Sequence, residues 1–159
     1  MKKMRNIKKI FRNSEGAALI EFAMVVPVLV FLLMAIIEFG IIFHLMSLST
    51  YAANEASRAG KTGNNYGAVS RDMLIKGKVE KILAPWMKNG KELNLQTESY
   101  GNFADLGAAG VVGAGNSGEV VLYTITLNWP VLTPVLGAAF GPGGSVPIIT
   151  RVLVKNEQF

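Results

Sequence analysis

The most prominent feature of the sequence is a long apolar block near its beginning. No charged residue occurs from Phe22 to Ile37, and after Glu38 the apolar character resumes from Phe39 to Phe43. As an α-helix, the stretch from Phe22 to Phe43 is roughly 33 Å long, which is enough to cross a hydrocarbon core of about 30 Å. The pattern therefore predicts one membrane-spanning helix.

The same helix is expected to continue beyond the membrane. The segment from Tyr51 to Gly60 is rich in alanine and favours a helix, so the whole element would run from Ala17 to about Ala59. A helix of that length is roughly 64 Å long, and a bilayer accounts for only part of it. We therefore expect its C-terminal third to pack on the chain's own globular domain.

A second, amphipathic helix is predicted after a turn-rich break at residues 61–67. Ser70 and Asp72 are typical of a helix start, and apolar residues recur near a helical period until Asn89-Gly90. The recurring apolar residues are Val69, Met73, Leu74, Val79, Ile82, Leu83, Trp86 and Met87. The break therefore separates the long helix from a globular domain at residues 61–159.

After Gly90 the apolar period changes from that of a helix to that of a strand. Three strands are predicted, the third over residues 146–155. Alternating positions are Leu93, Leu95 and Thr97 in the first strand, and Val121, Tyr123, Ile125, Leu127 and Trp129 form one face of the second. The third strand is expected to face inward through Ile148, Val152 and Val154. Two Gly-rich stretches, 107–118 and 141–144, are expected to be flexible connections. The predicted fold is α+β, with two helices and a small antiparallel sheet.

Basic side chains are concentrated before the apolar block. Six of the sixteen Lys and Arg residues and one acidic residue precede Ala17, so the net charge of +5 falls to zero from Ala17 onward. The basic residues are Lys2, Lys3, Arg5, Lys8, Lys9 and Arg12. By the positive-inside rule, the N-terminus is expected in the cytoplasm and everything after about His44 outside it. A neutral body also disfavours nucleic acid as a partner.

A cleavable secretory signal peptide has a similar basic start and apolar core. Its apolar region is about 7 to 15 residues long and ends at a site of small residues. The block in this chain is longer, and Tyr51-Ala52-Ala53 offers only a weak cleavage signal. The pattern therefore favours a membrane anchor over a removed signal peptide.

Few residues suggest catalytic or ligand chemistry. Gly113, Gly115 and Gly118 have the spacing G-x-G-x-x-G, but a dinucleotide site requires a helix directly after this loop, and here a strand is predicted. The chain has no cysteine and one histidine, His44, which rules out Cys-based metal sites and clusters of histidines. Ser47 lies nearby without an evident base. We therefore expect no cofactor, no metal site and no catalytic residue.

A motif stands at the start of the apolar block. Gly16 is followed by Ala17 and, five positions after the glycine, by Glu21 and Phe22. This G-x-x-x-x-E-F pattern, behind a basic leader and ahead of a membrane helix, resembles the processing motif of type IV prepilins, in the form found in tight-adherence (Tad) pili. The sequence EFAMVVP with Pro27, the helix end YAANEASRAG and the C-terminal TRVLVKNEQF resemble the TadE-like family of minor pilins and pseudopilins.

The resemblance implies roles for these residues. A prepilin peptidase would cut between Gly16 and Ala17 and remove residues 1–16, leaving a helix over residues 17–60 that spans the membrane to about residue 45. Glu21 and Phe22 would act in subunit assembly, and we expect the Glu21 carboxylate to pair with the new α-amino group of Ala17 on a neighbouring subunit. Pro27 is expected to kink the helix.

The function implied by the resemblance is that of a minor pilin or pseudopilin of the bacterial inner membrane. It would contribute to assembly, initiation or the tip of a Tad pilus and to surface adherence. Its partners would be the prepilin peptidase, other pilins and minor pilins, the inner-membrane pilus assembly platform and membrane lipid. The chain would be the substrate of an enzyme and not an enzyme. Two alternatives are an uncleaved, permanently anchored scaffold of a secretion apparatus and an anchored hydrolase.

Overall fold

The computed structural model describes residues 14–61, 70–87, 93–139 and 143–158. The chain divides between Phe39 and Gly40 into two compact units. The described part of the N-terminal unit, residues 14–39, is helical throughout. The globular unit, residues 40–159, contains the end of that helix, a second helix and a four-stranded sheet. The α+β fold predicted from the sequence is therefore confirmed.

The two main helices lie close to their predicted positions. Helix α1 covers Ser14–Lys61, and helix α2 covers Arg71–Leu83. The hydroxyl of Ser70 accepts a hydrogen bond from the backbone N–H of Met73, as expected for an N-cap. The chain continues after α2 as a single 3-10 turn, Ala84–Trp86. Helix α2 thus ends earlier than the predicted Asn89-Gly90, because Pro85 cannot supply the N–H that the next helical hydrogen bond requires.

The buried face of α2 differs from the predicted one. Ile75, Val79 and Leu83, spaced four residues apart, are fully buried. Met73, which the apolar periodicity assigned to the core, is 68% exposed. The prediction was wrong at this position because it did not include Ile75, whose spacing to Val79 sets the direction of the buried stripe.

The sheet is antiparallel with the strand order β2-β1-β3-β4. Its strands are β1 Leu93–Tyr100, β2 Val111–Val112, β3 Val120–Pro130 and β4 Ser145–Lys155. Strand β3 lies in the centre, where Leu127 is opposite Leu93 on one side and Ile148 on the other. All three long strands were predicted. Of the two faces of β3, the one that contains Tyr123, Ile125 and Leu127 is buried, and the inward position of Ile148 in β4 is confirmed.

The core of the globular unit consists of two apolar clusters along α1. One joins Ala52, Ala53 and Ala56 of α1 to Ile75 of α2 and Tyr123 of β3. The other joins Ile42 and Leu45 of α1 to Leu127, Trp129 and Ile148 of the sheet. The small alanine side chains allow the helix to approach the sheet closely, which explains the Ala-rich sequence after Tyr51.

The Gly-rich connections are more ordered than the sequence suggested. The stretch 107–118 contains the short strand β2, which pairs with β1 through Val112 opposite Glu98 and Val111 opposite Ser99. The connection between β3 and β4 contains helix α3, Pro134–Ala139. The prediction of a flexible connection is therefore wrong for residues 107–118, because side chains from elsewhere in the chain donate hydrogen bonds to the carbonyl groups of this stretch. In the second connection, residues 140–142 lie outside the described residues.

Candidate processing and assembly site

The residues of the processing motif all lie on α1 in the N-terminal unit. Gly16 and Ala17 are helical and exposed, and the space where a β-carbon at Gly16 would stand is open for at least 4 Å. A larger side chain at this position would therefore meet no described atom of the chain. Gly16 and Ala17 are thus not packed against other described residues.

Glu21 and Phe22 lie on α1 a little more than one turn after Gly16. Both are exposed, and Phe22 has 66% of its surface accessible. Among the described residues, no cation stands within ion-pair distance of the Glu21 carboxylate. An ionised carboxylate beside lipid-facing apolar side chains is costly until it finds a partner.

Pro27 stands inside α1, which is helical on both sides of it. Proline lacks the N–H that would bond to the carbonyl of residue 23, so one intrahelical hydrogen bond is missing at this point. The proline is exposed, as are most of its neighbours. The kink expected at Pro27 stays a prediction.

The side chains around this site form a continuous apolar surface. From Leu19 to Phe39, nearly every large hydrophobic residue is exposed. Those with at least half of their surface accessible are Leu19, Ile20, Phe22, Met24, Val25, Val28, Leu29, Leu32, Leu33, Met34, Ile36 and Ile37. The helix is long and apolar enough to cross a membrane. Such a surface is typical of a segment that faces lipid or other apolar helices.

In the globular unit, aromatic side chains follow the end of the apolar run of α1. The ring of His44 lies 5.2 Å from that of Trp86, and Trp86 lies 6.1 Å from Trp129 in an edge-on arrangement. The Ser47 hydroxyl donates to the carbonyl oxygen of Phe43, one turn back on the same helix. His44 and Ser47 are thus engaged in packing and in a helical hydrogen bond, and no group of three metal-binding side chains occurs among the described residues.

Arg71 and Asn156 hold the Gly-rich loop in place. Arg71 donates from Nη2 to the carbonyl oxygens of Ala114, at 3.0 Å, and of Gly115. The buried amide of Asn156 donates to Ala114 and to Asn116, both at 2.9 Å. Neither residue was singled out in the sequence, because Arg71 and Asn156 are separated from the loop by about forty residues and no local pattern links them.

The loop also positions an acidic group. Glu119 accepts hydrogen bonds from the backbone N–H of Asn116, at 2.8 Å, and from its side-chain amide, at 3.1 Å. The bond from the backbone N–H is the main reason that the pKa of Glu119 lies below its ordinary value. Gly115 has φ of +66°, and a β-carbon there would stand 2.8 Å from Glu119 Oε2. The glycine therefore lets the carboxylate approach the loop.

The G-x-G-x-x-G spacing has a structural explanation in this loop. Gly113, Gly115 and Gly118 all have positive φ, and strand β3 begins at Val120. The expectation that a strand follows the last glycine is confirmed. Since no helix begins there, the loop lacks the helix N-terminus on which a dinucleotide phosphate would rest.

Comparison with known proteins agrees with the N-terminal motif. The model of the family described as TadE-like protein matches residues 16–58. No curated protein and no solved structure matches this chain. The match includes Gly16, Ala17, Glu21, Phe22 and Pro27, and it ends within α1, before α2 and the sheet. The chain therefore carries a TadE-like segment at residues 16–58, as the N-terminal motif predicted, whereas the C-terminal TRVLVKNEQF lies outside the match.

Proposed function

We propose that this protein is a minor pilin or pseudopilin that contributes to the assembly, initiation or tip of a Tad pilus and to surface adherence. The observation that carries the proposal is the coincidence of three features on one helix. The TadE-like match, the accessible Gly16-Ala17 pair and the exposed Glu21 all lie at the start of an apolar helix long enough to cross a membrane.

The proposed location is the bacterial inner membrane, with the N-terminus in the cytoplasm. No Lys or Arg occurs between Arg12 and Arg58, whereas six precede Asn13. The positive-inside rule supports this orientation, because basic residues beside a span stay on the cytoplasmic side. Residues 61–159 would then stand outside the cytoplasm.

The proposed chemical role is that of a substrate. A prepilin peptidase would hydrolyse the Gly16–Ala17 bond and release residues 1–16, which carry all of the chain's excess positive charge. Its loss would remove the basic residues that hold the N-terminus at the cytoplasmic surface. The mature chain would then associate with other pilins and with the membrane assembly platform.

The intact mass of the full chain, purified from membranes, tests this proposal. We expect the mass of residues 17–159 when the prepilin peptidase is present and the mass of the full chain when it is absent. Gly16→Val should block processing, whereas Gly40→Val, at another helical glycine with open space around it, should not. Because both sites are open, a difference between the two variants would reflect recognition of Gly16 and not a loss of folding.

An uncleaved scaffold of a secretion apparatus is the alternative function. It predicts a full-length mass in cells with an active peptidase and no protein in sheared pili. Cleavage at Gly16 that depends on the peptidase, together with recovery of the mature chain from sheared pili, would exclude it. Full-length protein that stays in the membrane under both conditions would overturn the pilin proposal.

A further inference from the structure

The connection between β3 and β4 presents an uncharged apolar surface. No charged residue occurs from Val120 to Thr150. Within residues 131–139, here termed the tip segment, Leu132 is 57% exposed and Val135 is 67% exposed. Exposed leucine and valine on an uncharged loop are costly in water and are typical of a surface that another apolar phase covers.

The tip segment has a defined structure that holds these side chains outward. The backbone N–H of Val131 donates to the carbonyl of Gly144 at 2.8 Å, and that of Gly137 donates to Thr133 at 2.9 Å. Gly137 also packs closely on Gly144, since a β-carbon on it would stand 3.6 Å from the Gly144 Cα. The exposure of Leu132 and Val135 therefore belongs to a folded hairpin end.

The position of the tip segment follows from the direction of β3 along α1. The Tyr123 hydroxyl lies over Gly60, whereas Trp129 packs in one cluster with Ile42 and Leu45. Gly60 and Ile42 are about 27 Å apart along a helix, and six strand residues cover about 20 Å. Strand β3 therefore runs antiparallel to α1, and the tip segment begins where the apolar run of α1 ends, at Phe43.

Aromatic side chains mark the same end of the globular unit. Trp86 and Trp129 are in edge-on contact there, and the ring of His44 is tilted by 55° against that of Trp86. Tryptophan concentrates at the boundary between lipid and water, because its ring is apolar and its indole N–H is polar. Trp129 is buried in the core, but Trp86 is partly exposed at this end of the globular unit, as a residue at a membrane boundary would be.

We propose that the tip segment inserts Leu132 and Val135 into the outer surface of the same membrane that α1 spans. This inference rests on the membrane anchoring in the proposed function and adds a second contact, made by the globular unit. The partner is the apolar part of the lipid bilayer. The contact does not require anionic headgroups, because the tip segment has no basic side chain. The contact would hold the globular unit against the membrane before the protein leaves it.

Quenching of a fluorescent label by lipid tests the proposal. The chain has no cysteine, so Leu132→Cys and Val135→Cys each give one labelling site for an environment-sensitive dye. The labelled full chains are placed in phosphatidylcholine vesicles that contain lipids with a nitroxide on the acyl chain. We expect a blue-shifted emission that the nitroxide lipids quench.

Two further variants serve as controls. Val112→Cys labels a side chain that is 87% exposed at the other end of the sheet, about 26 Å from Trp129 by strand register, and it should not be quenched. Val28→Cys labels α1 within the apolar block, where 67% of the side chain is exposed, and it should be quenched. Circular dichroism of each variant checks that the fold is kept.

The outcomes separate this inference from the proposed function. Quenching at Val28 but not at Leu132 or Val135 would overturn the tip contact and leave the membrane anchor intact. No quenching at Val28 would overturn the anchor itself. A blue shift at Leu132 that grows with the ratio of protein to lipid, without quenching, would assign the tip segment to a second copy of the chain and would also overturn the proposal.

Discussion

The hydroxyl oxygen of Tyr123 on β3 lies directly against the Cα of Gly60 on α1, in the space that a β-carbon would occupy. The tyrosine is fully buried, in the core cluster that also contains Ile75 of α2. Glycine is thus required here for packing, since a side chain at Gly60 would overlap the tyrosine. This contact sets how closely the end of α1 approaches the sheet.

We expect Gly60→Ala to destabilise the globular unit. The added methyl group would collide with the Tyr123 hydroxyl, and overpacking of this kind costs about 1–3 kcal/mol. Gly77→Ala is the matched control, because nothing lies within 4 Å of its β-carbon position and alanine favours a helix by about 1 kcal/mol over glycine. Guanidinium unfolding of the full chain in detergent micelles measures both. Equal stability of the two variants would contradict the packing argument.

Tyr123→Phe should restore most of the stability lost in Gly60→Ala. The hydroxyl is the atom that overlaps the new methyl group, and the next ring atom, Cζ, stands at 3.1 Å. The Tyr123 oxygen has no hydrogen-bond partner among the described residues, so its removal alone should cost little. The double-mutant cycle reports the coupling between the two residues. Additive effects of the two substitutions on the free energy of unfolding would show that the Tyr123 hydroxyl does not cause the destabilisation of Gly60→Ala.

The same tyrosine should make the fold sensitive to high pH. Burial is the main cause that raises the pKa of Tyr123 to about 12, from 10.0. Because the folded-state pKa is the higher one, the stabilisation of the neutral phenol is complete below about pH 10 and is lost as the pH rises towards about 12. The free energies of unfolding of the wild type and Tyr123→Phe should be similar below about pH 10 and should diverge above it, because only the wild type loses stability as the phenol ionises. Parallel curves would show that the phenol does not ionise with unfolding.

Asn156→Ala should loosen the Gly-rich loop. The Asn156 amide donates to the carbonyls of Ala114 and Asn116. Arg71 and the backbone N–H of Glu119 still bond to these carbonyls in the variant, so each lost hydrogen bond should cost about 0.5–1.5 kcal/mol. Asn94→Ala, on an exposed position of β1, is the control. Hydrogen exchange should accelerate at residues 111–119 in the first variant only. Unchanged hydrogen exchange in both variants would show that β2 and Arg71 hold the loop without the Asn156 amide.

The ionised carboxylate of Glu119 should stabilise the fold at neutral pH and lose this contribution in acid. The hydrogen bond from the Asn116 backbone holds the pKa of Glu119 below its ordinary value of 4.5. A lowered folded-state pKa means that the contribution is present above about pH 4.5 and is lost as the pH falls below it. The wild type should thus exceed Glu119→Gln in melting temperature at neutral pH and approach it in acid. A constant difference would show that the carboxylate charge is not involved.

Local patterns were sufficient to predict most of the regular structure. The alternation in β3 placed Tyr123 and Trp129 on one face of the strand, and Ser70 marked the start of α2, because these signals lie within a few residues of the feature they describe. Glycine content alone suggested flexibility at residues 107–118. That prediction failed because the order of this loop comes from Arg71 and Asn156, which are distant in sequence.

Some of the functional residues could likewise be predicted from local sequence patterns, and others could not. Gly16 and Glu21 were found from a short motif ahead of an apolar helix, and the family match includes both. The exposed pair Leu132 and Val135 was missed, since a Leu or Val in an apolar stretch is normally assigned to the core. Only the packing of Trp129 against Ile42 places that segment beside the end of the apolar run of α1.

Glu21→Ala should impair assembly of the pilus and leave cleavage intact. If the carboxylate pairs with the α-amino group of Ala17 on a neighbouring subunit, its loss strands a charge in an apolar environment at a cost of about 3–5 kcal/mol. Met24→Ala, at an exposed apolar position one turn along α1, removes contact area without removing a charge and is the control. The intact mass reports cleavage, and the amount of mature chain in sheared pili reports assembly. We expect full processing of both variants and a strong loss from pili of Glu21→Ala alone; normal incorporation of that variant would exclude the ion pair.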